Sequence, residues 1–371
     1  MKYYLIAGER SGDLHGANLI KGIKSNDSEA SFRGWGGDLM ATEGMNLVTH
    51  YKDTAFMGFL EVIKNLGTIA SLLKKCKNDL LAHRPDVLIL IDYPGFNLRI
   101  ATFAKKHNIR VFYYISPKVW AWNQKRALKI KSVVDRMFVI FPFEIDFYKQ
   151  YDFQVDYVGN PLMDQIEAFQ PDPDFLSTHQ LQSSKIIALL PGSRRQEVVS
   201  MLDTMLTQAP LFPDYQFVIA AVRTLPPEVY SNFSHIPNVK VVYEATYDLL
   251  HYSEAALVAS GTATLETALF HIPEIVCYRT SAISYYIAKR LIRVRFISLV
   301  NLIMDREIVK ELIQDDFNPP KLEKELNAIL EGGTMRRKML GDYKLLQKNV
   351  GGSGASQNAG KKMVDYLKAM H

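Results

Sequence analysis

The sequence predicts an α/β protein of two doubly wound, parallel-sheet domains, each Rossmann-like, facing a central cleft. Three observations carry this expectation. Apolar runs alternate with helix-length segments along the whole chain. Several runs are continuous Val/Ile/Leu/Tyr stretches with no polar alternation, the pattern of strands buried on both faces of a parallel sheet. The pattern also stops in a polar, proline-broken stretch and then restarts.

The first series comprises KYYLIA at 2–7, DVLILID at 86–92, RVFYYIS at 110–116, RMFVIF at 136–141 and QVDYVG at 154–159. QPDPDFLSTHQLQSS at 170–184 reads as a hinge. The second series is KIIALLPG at 185–192, YQFVIAA at 215–221, VKVVY at 239–243, AALVASG at 255–261 and EIVCY at 274–278. From Pro319 onward the chain reads as helical, with GGSG at 351–354 breaking it before a last helix over 357–370. The domains are expected at 1–165 and 166–351, with a helix over about 352–371 packing back on the first. In open α/β sheets ligands sit beyond the carboxyl ends of the strands. Residues at strand ends are therefore the functional candidates.

Composition narrows the class. A chain of 371 residues suits about two domains of ordinary size. Its 48% hydrophobic and 22% charged residues are globular values. The two cysteines, Cys76 and Cys277, belong to no CxxC or Cys/His cluster, which disfavours a disulfide framework or a zinc site and suits a reducing compartment. The short apolar run before Glu9 and Arg10 does not make a signal peptide. No apolar segment approaches the roughly 20 residues that span a bilayer, so a cytoplasmic chain is expected. The net charge of +5 is concentrated in KVWAWNQKRALKIK at 118–131 and AKRLIRVR at 288–295. Cations beside aromatics suit an anionic partner, whether nucleic acid, phospholipid or a phosphorylated substrate. They are equally consistent with solvated helix faces.

GERSGDLHGA at 8–17 lies between the first strand and helix-spaced residues from Ala17. Its glycines, Gly8, Gly12 and Gly16, are four apart, which matches neither the dinucleotide fingerprint nor the phosphate loop. They would let backbone approach closely. NAD binding and ATP hydrolysis are both disfavoured. In LLPGSRRQEV at 189–198 a buried strand runs into Gly192, Ser193 and Arg194 before a helix. That turn offers N–H groups and a forked cation to a phosphate, or else a serine cap with exposed arginines. LVASGTATLETALF at 257–270 repeats the design, with Ser260, Gly261, Thr262 and Thr264 at a helix start. Glu266 there is able to accept both hydroxyls of a ribose, or simply complements the helix dipole. Two anion-ready turns in one domain favour a nucleotide diphosphate.

In LILIDYPGFN at 88–97 an apolar strand ends on Asp92, either a base for an attacking hydroxyl or a cap of the next turn. Asp172 and Asp174 match a metal-holding carboxylate pair formally, but they lie in the proline-broken stretch and are set aside, so no metal site is assigned. No HExxH or Ser-His-Asp pattern stands out, and His15 reads as a helix residue. The segment 54–75 carries a wide apolar face with Lys64, Lys74 and Lys75. It suits a core helix, or one resting on a membrane or receiving acyl chains.

Taken together, GERSGDLHGA, AFMGFLEVI, IDYPGFN, SPKVWAW, FPFE, LLPGSRRQEV, ASGTATLE and SLVNLI followed by Arg306 and Glu307 resemble, in order, the motifs of lipid-A-disaccharide synthases. These are glycosyltransferase family 19 enzymes with the two-domain GT-B architecture. The resemblance implies condensation of UDP-2,3-diacylglucosamine with 2,3-diacylglucosamine 1-phosphate, giving a β-1,6-linked lipid A disaccharide 1-phosphate and UDP. The reaction would invert configuration without a metal or other cofactor.

On the same resemblance Asp92 becomes the general base. Ser193, Arg194, Ser260, Gly261, Thr262 and Thr264 hold the diphosphate, and Glu266 the ribose. Ser11, Gly12 and Asp13 fall on the acceptor side, with Asn301 and Glu307 as further members of the site. Expected partners are the two lipid substrates, the cytoplasmic face of the inner membrane as a peripheral surface, and a second copy of the chain, with no nucleic acid. Arg10 stands where the family usually has Ala, Val300 where Pro is common, and Asn160 where His is common. The rival expectations are another UDP-sugar enzyme such as a UDP-N-acetylglucosamine 2-epimerase, and a non-catalytic nucleotide-binding protein.

Overall fold

The Val/Ile/Leu/Tyr runs become strands because each is apolar on both faces and sits where helices cover both sides of a sheet. The computed structural model describes residues 1–54, 66–122, 124–181, 185–231, 233, 236–281, 285 and 294–369. The chain divides into two units, Met1–Asp164 together with Gly351–His371, and Gln165–Val350.

The first unit holds β1 (Lys2–Ala7), β2 (Ser31–Gly36), β3 (Met45–His50), β4 (Val87–Ile91), β5 (Arg110–Tyr114), β6 (Arg136–Val139) and β7 (Asp156–Tyr157). They pair in parallel in the order β3-β2-β1-β4-β5-β6-β7. The second unit holds β8 (Ile186–Leu190), β9 (Gln216–Ala221), β10 (Val239–Tyr243), β11 (Ala255–Ala259), β12 (Glu274–Tyr278) and β13 (Lys310–Ile313). Their order is β10-β9-β8-β11-β12-β13, again parallel. In each sheet the chain winds outward one way and then the other, so the order reverses at the β1/β4 and β8/β11 pairs. These reversals are where an open α/β sheet leaves a crevice at its carboxyl edge.

Three strands, β2, β3 and β13, were not expected from the sequence. β2 reads SFRGWG, too rich in glycine for a strand signal. Gly34 is nevertheless required there. Its φ is +151° and a Cβ would stand 1.9 Å from the Leu5 carbonyl oxygen, so β2 approaches β1 more closely than any side chain permits. The expected hinge at 170–184 also differs. Phe175 is buried and stacks on Tyr252 at 5.6 Å, and the Tyr252 hydroxyl donates to the Asp172 carbonyl at 3.0 Å. Aromatic burial thus attaches this stretch to the second unit, and the division falls inside the helix Pro161–Ala168.

The helix Ala355–Lys368 returns to the first unit and packs on the helix Arg10–Lys24. Met363, Val364 and Leu367 join Leu19, Ile20 and Ile23 in one core. Asp164 accepts the Gly354 N–H, and the Tyr114 hydroxyl meets Ser356 Oγ at 3.2 Å. The helices touch backbone to backbone at two glycines. A Cβ on Gly360 would lie 2.5 Å from the Gly22 carbonyl carbon, and one on Gly22 would lie 2.6 Å from the Ser356 oxygen.

This contact opposes propensity to packing. Replacing a mid-helix glycine by alanine stabilises a helix by about 1 kcal/mol. Gly341, on the exposed face of the helix Arg336–Val350 with nothing within 4 Å of a Cβ, shows that gain alone. Gly341→Ala is expected to raise the unfolding free energy by about 0.5–1 kcal/mol. Gly360→Ala should lower it, by about 1–3 kcal/mol, because overpacking outweighs propensity. Denaturant titration of both variants decides; an equal rise in both would refute the backbone contact.

Candidate functional site

At the first reversal β4 runs into Asp92 and β1 into Gly8. Asp92 and Tyr93 are consecutive residues in the left-handed region, with φ of 43° and 52°. Tyr93 then leads into the helix Pro94–Lys106, whose proline suits a first turn. The Tyr93 ring lies over Gly8, where a Cβ would come within 2.4 Å of it. The GERSGD turn and the Asp92 corner are thus one surface. Burial, reinforced by the Glu9 carboxylate and opposed by the Lys118 ammonium, raises the Asp92 carboxyl to about 6. A second buried acid, Glu144 of the FPFE stretch, is raised to about 7 by desolvation, against the N–H groups of Ile140 and Phe141 that it accepts at 3.2 and 3.0 Å.

The GERSGDLHGA stretch is not a loop before a helix at Ala17: the helix begins at Arg10. Its glycines serve internal packing in place of ligand approach. Gly8 makes room for Tyr93, Gly12 for Ala7, and Gly16 for Met40, whose sulfur would stand 2.5 Å from a Cβ. Asp13 likewise has a structural task. It is buried and accepts the N–H groups of Gly37 at 2.7 Å and of Leu39 and Met40 at 3.1 Å, fixing the start of the helix Asp38–Thr42. Glu9, Arg10 and Ser11 are the exposed members of the turn. Lys118 and Glu9 were absent from the expected site, although Lys118 stood in the quoted SPKVWAW motif.

At the second reversal the two anion-ready turns lie side by side, because β8 and β11 are neighbours. Gly192 has φ +103°, and the Glu197 carboxylate folds onto it, 2.6 Å from where a Cβ would be. Arg194 precedes the helix Arg195–Leu206, is 83% exposed, and pairs with Glu197 at 3.1 Å. Glu197 is a member of this turn that the sequence did not single out. Ser260 Oγ donates to the Ile297 carbonyl at 2.9 Å and Thr264 Oγ1 to that of Gly261 at 2.8 Å, so both hydroxyls shape the turn. Gly261 opens into empty space and Thr262 is exposed.

Glu266 accepts the Tyr247 hydroxyl at 3.2 Å, and burial raises its pKa. Tyr247 packs with Phe169 and Phe270. A cavity of about 320 Å³, lined by Ala221, Val222, Glu244, Ala245 and Tyr247 among others, opens beside it at the ends of β9 and β10. No composition or spacing signal announces that cavity, because it depends on strands adjacent only after folding.

Asn301 and Glu307 are not brought together as ligand groups. Asn301 is fully buried; its Nδ2 donates to Val309 O and Glu311 Oε1 at 2.9 Å, and its Oδ1 accepts the Ile308 and Val309 N–H groups. Glu307 is exposed and pairs with Lys310 at 2.9 Å. Of the departures, Asn160 is buried and caps its helix by accepting the Leu162 N–H at 3.0 Å, and Val300 is core. Among the described residues no helix is long and apolar enough to cross a membrane, and no group of three or more His, Cys, Asp or Glu is arranged to hold a metal. The AFMGFLEVI motif, Lys64 and most of the 288–295 basic run lie outside the described residues.

Against known proteins, the family profile described as lipid-A-disaccharide synthetase matches residues 3–361. A lipid-A-disaccharide synthase of Syntrophus aciditrophicus is 39% identical over 372 residues, covering 98% of this chain and 97% of its own. One from Trichlorobacter lovleyi is 37% identical over 361 residues, covering 95% and 94%. Among solved structures, the S. aureus MnaA–UDP co-structure superposes with a TM-score of 0.70 at 11% identity, covering 99% of this chain and 97% of its own. The Neisseria meningitidis UDP-GlcNAc 2-epimerase bound to UDP-GlcNAc gives 0.65 at 13%, with full coverage of both chains. Likeness at such identities carries the fold, GT-B-type α/β, and says nothing of substrate.

The electrostatics of the Asp92 corner are directly measurable. Carboxyl ¹³C titration should place Asp92 near 6; Glu9→Gln should lower that value and Lys118→Met raise it. A folded-state pKa above the unfolded one means stability that is lost as pH rises from the ordinary carboxyl range through about 6. Asp92→Asn should therefore be more stable than the parent above that pH, with the gain gone below about 4. An Asp92 titration in the ordinary range, unmoved by both neighbours, would remove this picture.

Proposed function

This chain belongs to the lipid-A-disaccharide synthase family, glycosyltransferases of lipid A biosynthesis, and we propose that it condenses UDP-2,3-diacylglucosamine with 2,3-diacylglucosamine 1-phosphate. The single observation that carries the reading is a buried, raised carboxyl, Asp92, at the reversal point of a sheet whose turn carries no nucleotide fingerprint. In this mechanism Asp92 takes the proton of the acceptor 6-hydroxyl as that oxygen attacks the anomeric carbon of the donor. The bond from that carbon to the diphosphate breaks, the electron pair leaves with UDP, and the anomeric configuration inverts to a β-1,6 linkage. A base near 6 is ionised at neutral pH yet more basic than an ordinary carboxylate, which favours general base catalysis.

The first unit thus binds the acceptor, with Ser11 beside the corner, and Gly12 and Asp13 holding the turn. The second binds the donor. The Ser193–Arg194 and Gly261–Thr262 turns face the diphosphate, shaped by Ser260 and Thr264, and Arg194 exchanges Glu197 for phosphate. Glu266 takes the ribose, and the cavity beside Tyr247 takes the base. Asn301 supports the loop after its helix, and Glu307 stays at the surface. A UDP-sugar epimerase shares the fold but takes no acyl-sugar acceptor, and gives a lipid-facing surface no task.

A membrane surface fits the helices that cover one side of the first sheet. Leu66–His83, Pro94–Lys106 and Arg126–Val133 pack side by side. They carry Lys74, Lys75, Lys77, Arg99, Lys105, Lys106, Arg126, Lys129 and Lys131 against one acid of their own, Asp79, which is bound to Arg33 at 2.7 Å, and Asp135 just beyond them, which pairs with Lys105. Leu128 is 55% exposed among them. Such a face attracts anionic headgroups at roughly 1 kcal/mol per cation.

Two experiments test these readings. Asp92→Asn should keep UDP affinity by calorimetry and lose about 10²–10⁴-fold in turnover, measured as disaccharide mass; near-normal turnover removes Asp92 as base, and UDP release that ignores the acceptor favours the epimerase. Flotation with anionic vesicles should capture the protein at low salt and release it at high salt, and neutralising Lys105, Lys106 and Lys129 should abolish capture. Equal capture by neutral vesicles would refute the electrostatic face.

A further inference from the structure

We propose that Asn97 and Tyr113 are positioning residues that hold the Asp92 peptide in its left-handed conformation and so aim the carboxylate; the inference rests on Asp92 as the base. Asp92 and Tyr93 are the only adjacent pair of non-glycine residues with positive φ among the described residues. Side chains disfavour that region, so something must hold the corner.

The restraints converge on one atom. The Tyr113 hydroxyl, from the neighbouring strand β5, donates to the Asp92 carbonyl at 2.5 Å. Asn97 Nδ2, from the first turn of the following helix, donates to the same carbonyl at 2.7 Å and to that of Ile91 at 3.2 Å. Both residues are fully buried. Asn97 Oδ1 has no hydrogen-bond partner, so the side chain is oriented by the two bonds that its amide gives to the corner. On the other flank the Asp92 N–H donates to the Tyr114 carbonyl at 3.1 Å, and the Tyr93 ring is seated over Gly8.

A β-strand continuing past Ile91 would carry its peptide onward in the plane of the sheet. With both donors on its carbonyl, the Asp92 peptide turns instead, and the side chain projects from a fixed backbone at the sheet edge. Burial keeps the Tyr113 phenol protonated and therefore able to donate. Neither side chain has a route to substrate, since both lie wholly inside the unit. Their effect on turnover must pass through Asp92.

A double-mutant cycle reads that path. Tyr113→Phe and Asn97→Ala should each lower kcat by about 10- to 100-fold, the scale of a small misplacement, with the KM for UDP-diacylglucosamine unchanged. In an Asp92→Asn background, followed by single-turnover product mass, each should cost nothing further. A folding defect acts equally in both backgrounds, so the cycle separates positioning from damage. Equal losses with and without Asp92, while Asp92→Asn itself is nearly inactive, overturn the positioning role alone; a near-normal Asp92→Asn overturns the base reading, and this inference with it. A rise in KM for the donor with kcat unchanged would also overturn it.

Discussion

Each unit depends on one constraint: a parallel sheet wound outward from a central pair of strands must reverse its order once. At that pair the crossover helices depart to opposite faces, so the carboxyl ends of the two strands are left uncovered. In the first sheet the pair is β1 and β4, in the second β8 and β11. Four strand-end motifs of the sequence, GERSGD, IDYPG, PGSRR and SGTATLE, stand at these four strand ends, while SPKVWAW and FPFE follow the strands next along the first sheet, β5 and β6. Topology therefore gathers the motifs, and local chemistry then decides what each pair is suited to hold.

The two reversals use that same geometry with opposite electrostatics. In the second unit Gly192 and Gly261 admit close approach, and Arg194 leans out to a carboxylate on its own helix. That turn already holds a carboxylate, Glu197, beside Gly192 and on Arg194. In the first unit the corresponding turn is filled from within: Tyr93 covers Gly8, Met40 covers Gly16, and Asp13 spends its oxygens on three amides. What remains exposed there is side chain, of Glu9, Arg10 and Ser11, not open backbone. A neutral hydroxyl suits such a corner better than a diphosphate does.

Most of the sheet framework was legible because strands buried on both faces announce themselves as apolar runs. β2 was not legible, since Gly34 serves a backbone contact with β1 that only the folded pair creates. The stretch at 170–184 misled for the complementary reason: its prolines and polar residues suggest a linker, while one phenylalanine, Phe175, ties it down. In the site, residue types at strand ends could be read, but their commitments could not. Asp13 and Asn301 have the chemistry of ligand groups, yet backbone amides take them, distant ones at Gly37–Met40 for Asp13 and nearby ones at Ile308 and Val309 for Asn301. Lys118 and Glu9 matter through proximity to Asp92, which no spacing encodes.

The corner at Asp92 also shows what a carboxylate costs in such a place. Desolvation that raises its pKa to about 6 makes the ionised form a stronger base and, by the same free energy, a less stable one. Glu9 pushes further in that direction and Lys118 pulls back, so the value rests between full suppression of charge and an ordinary carboxylate. The left-handed peptides at 92 and 93 add a second cost, met locally by hydrogen bonds to one carbonyl and a ring over glycine. Burial alone would have been satisfied by an apolar residue at the end of β4, and a turn alone by glycine. An aspartate there, surrounded by dedicated supports, fits the base role proposed for it.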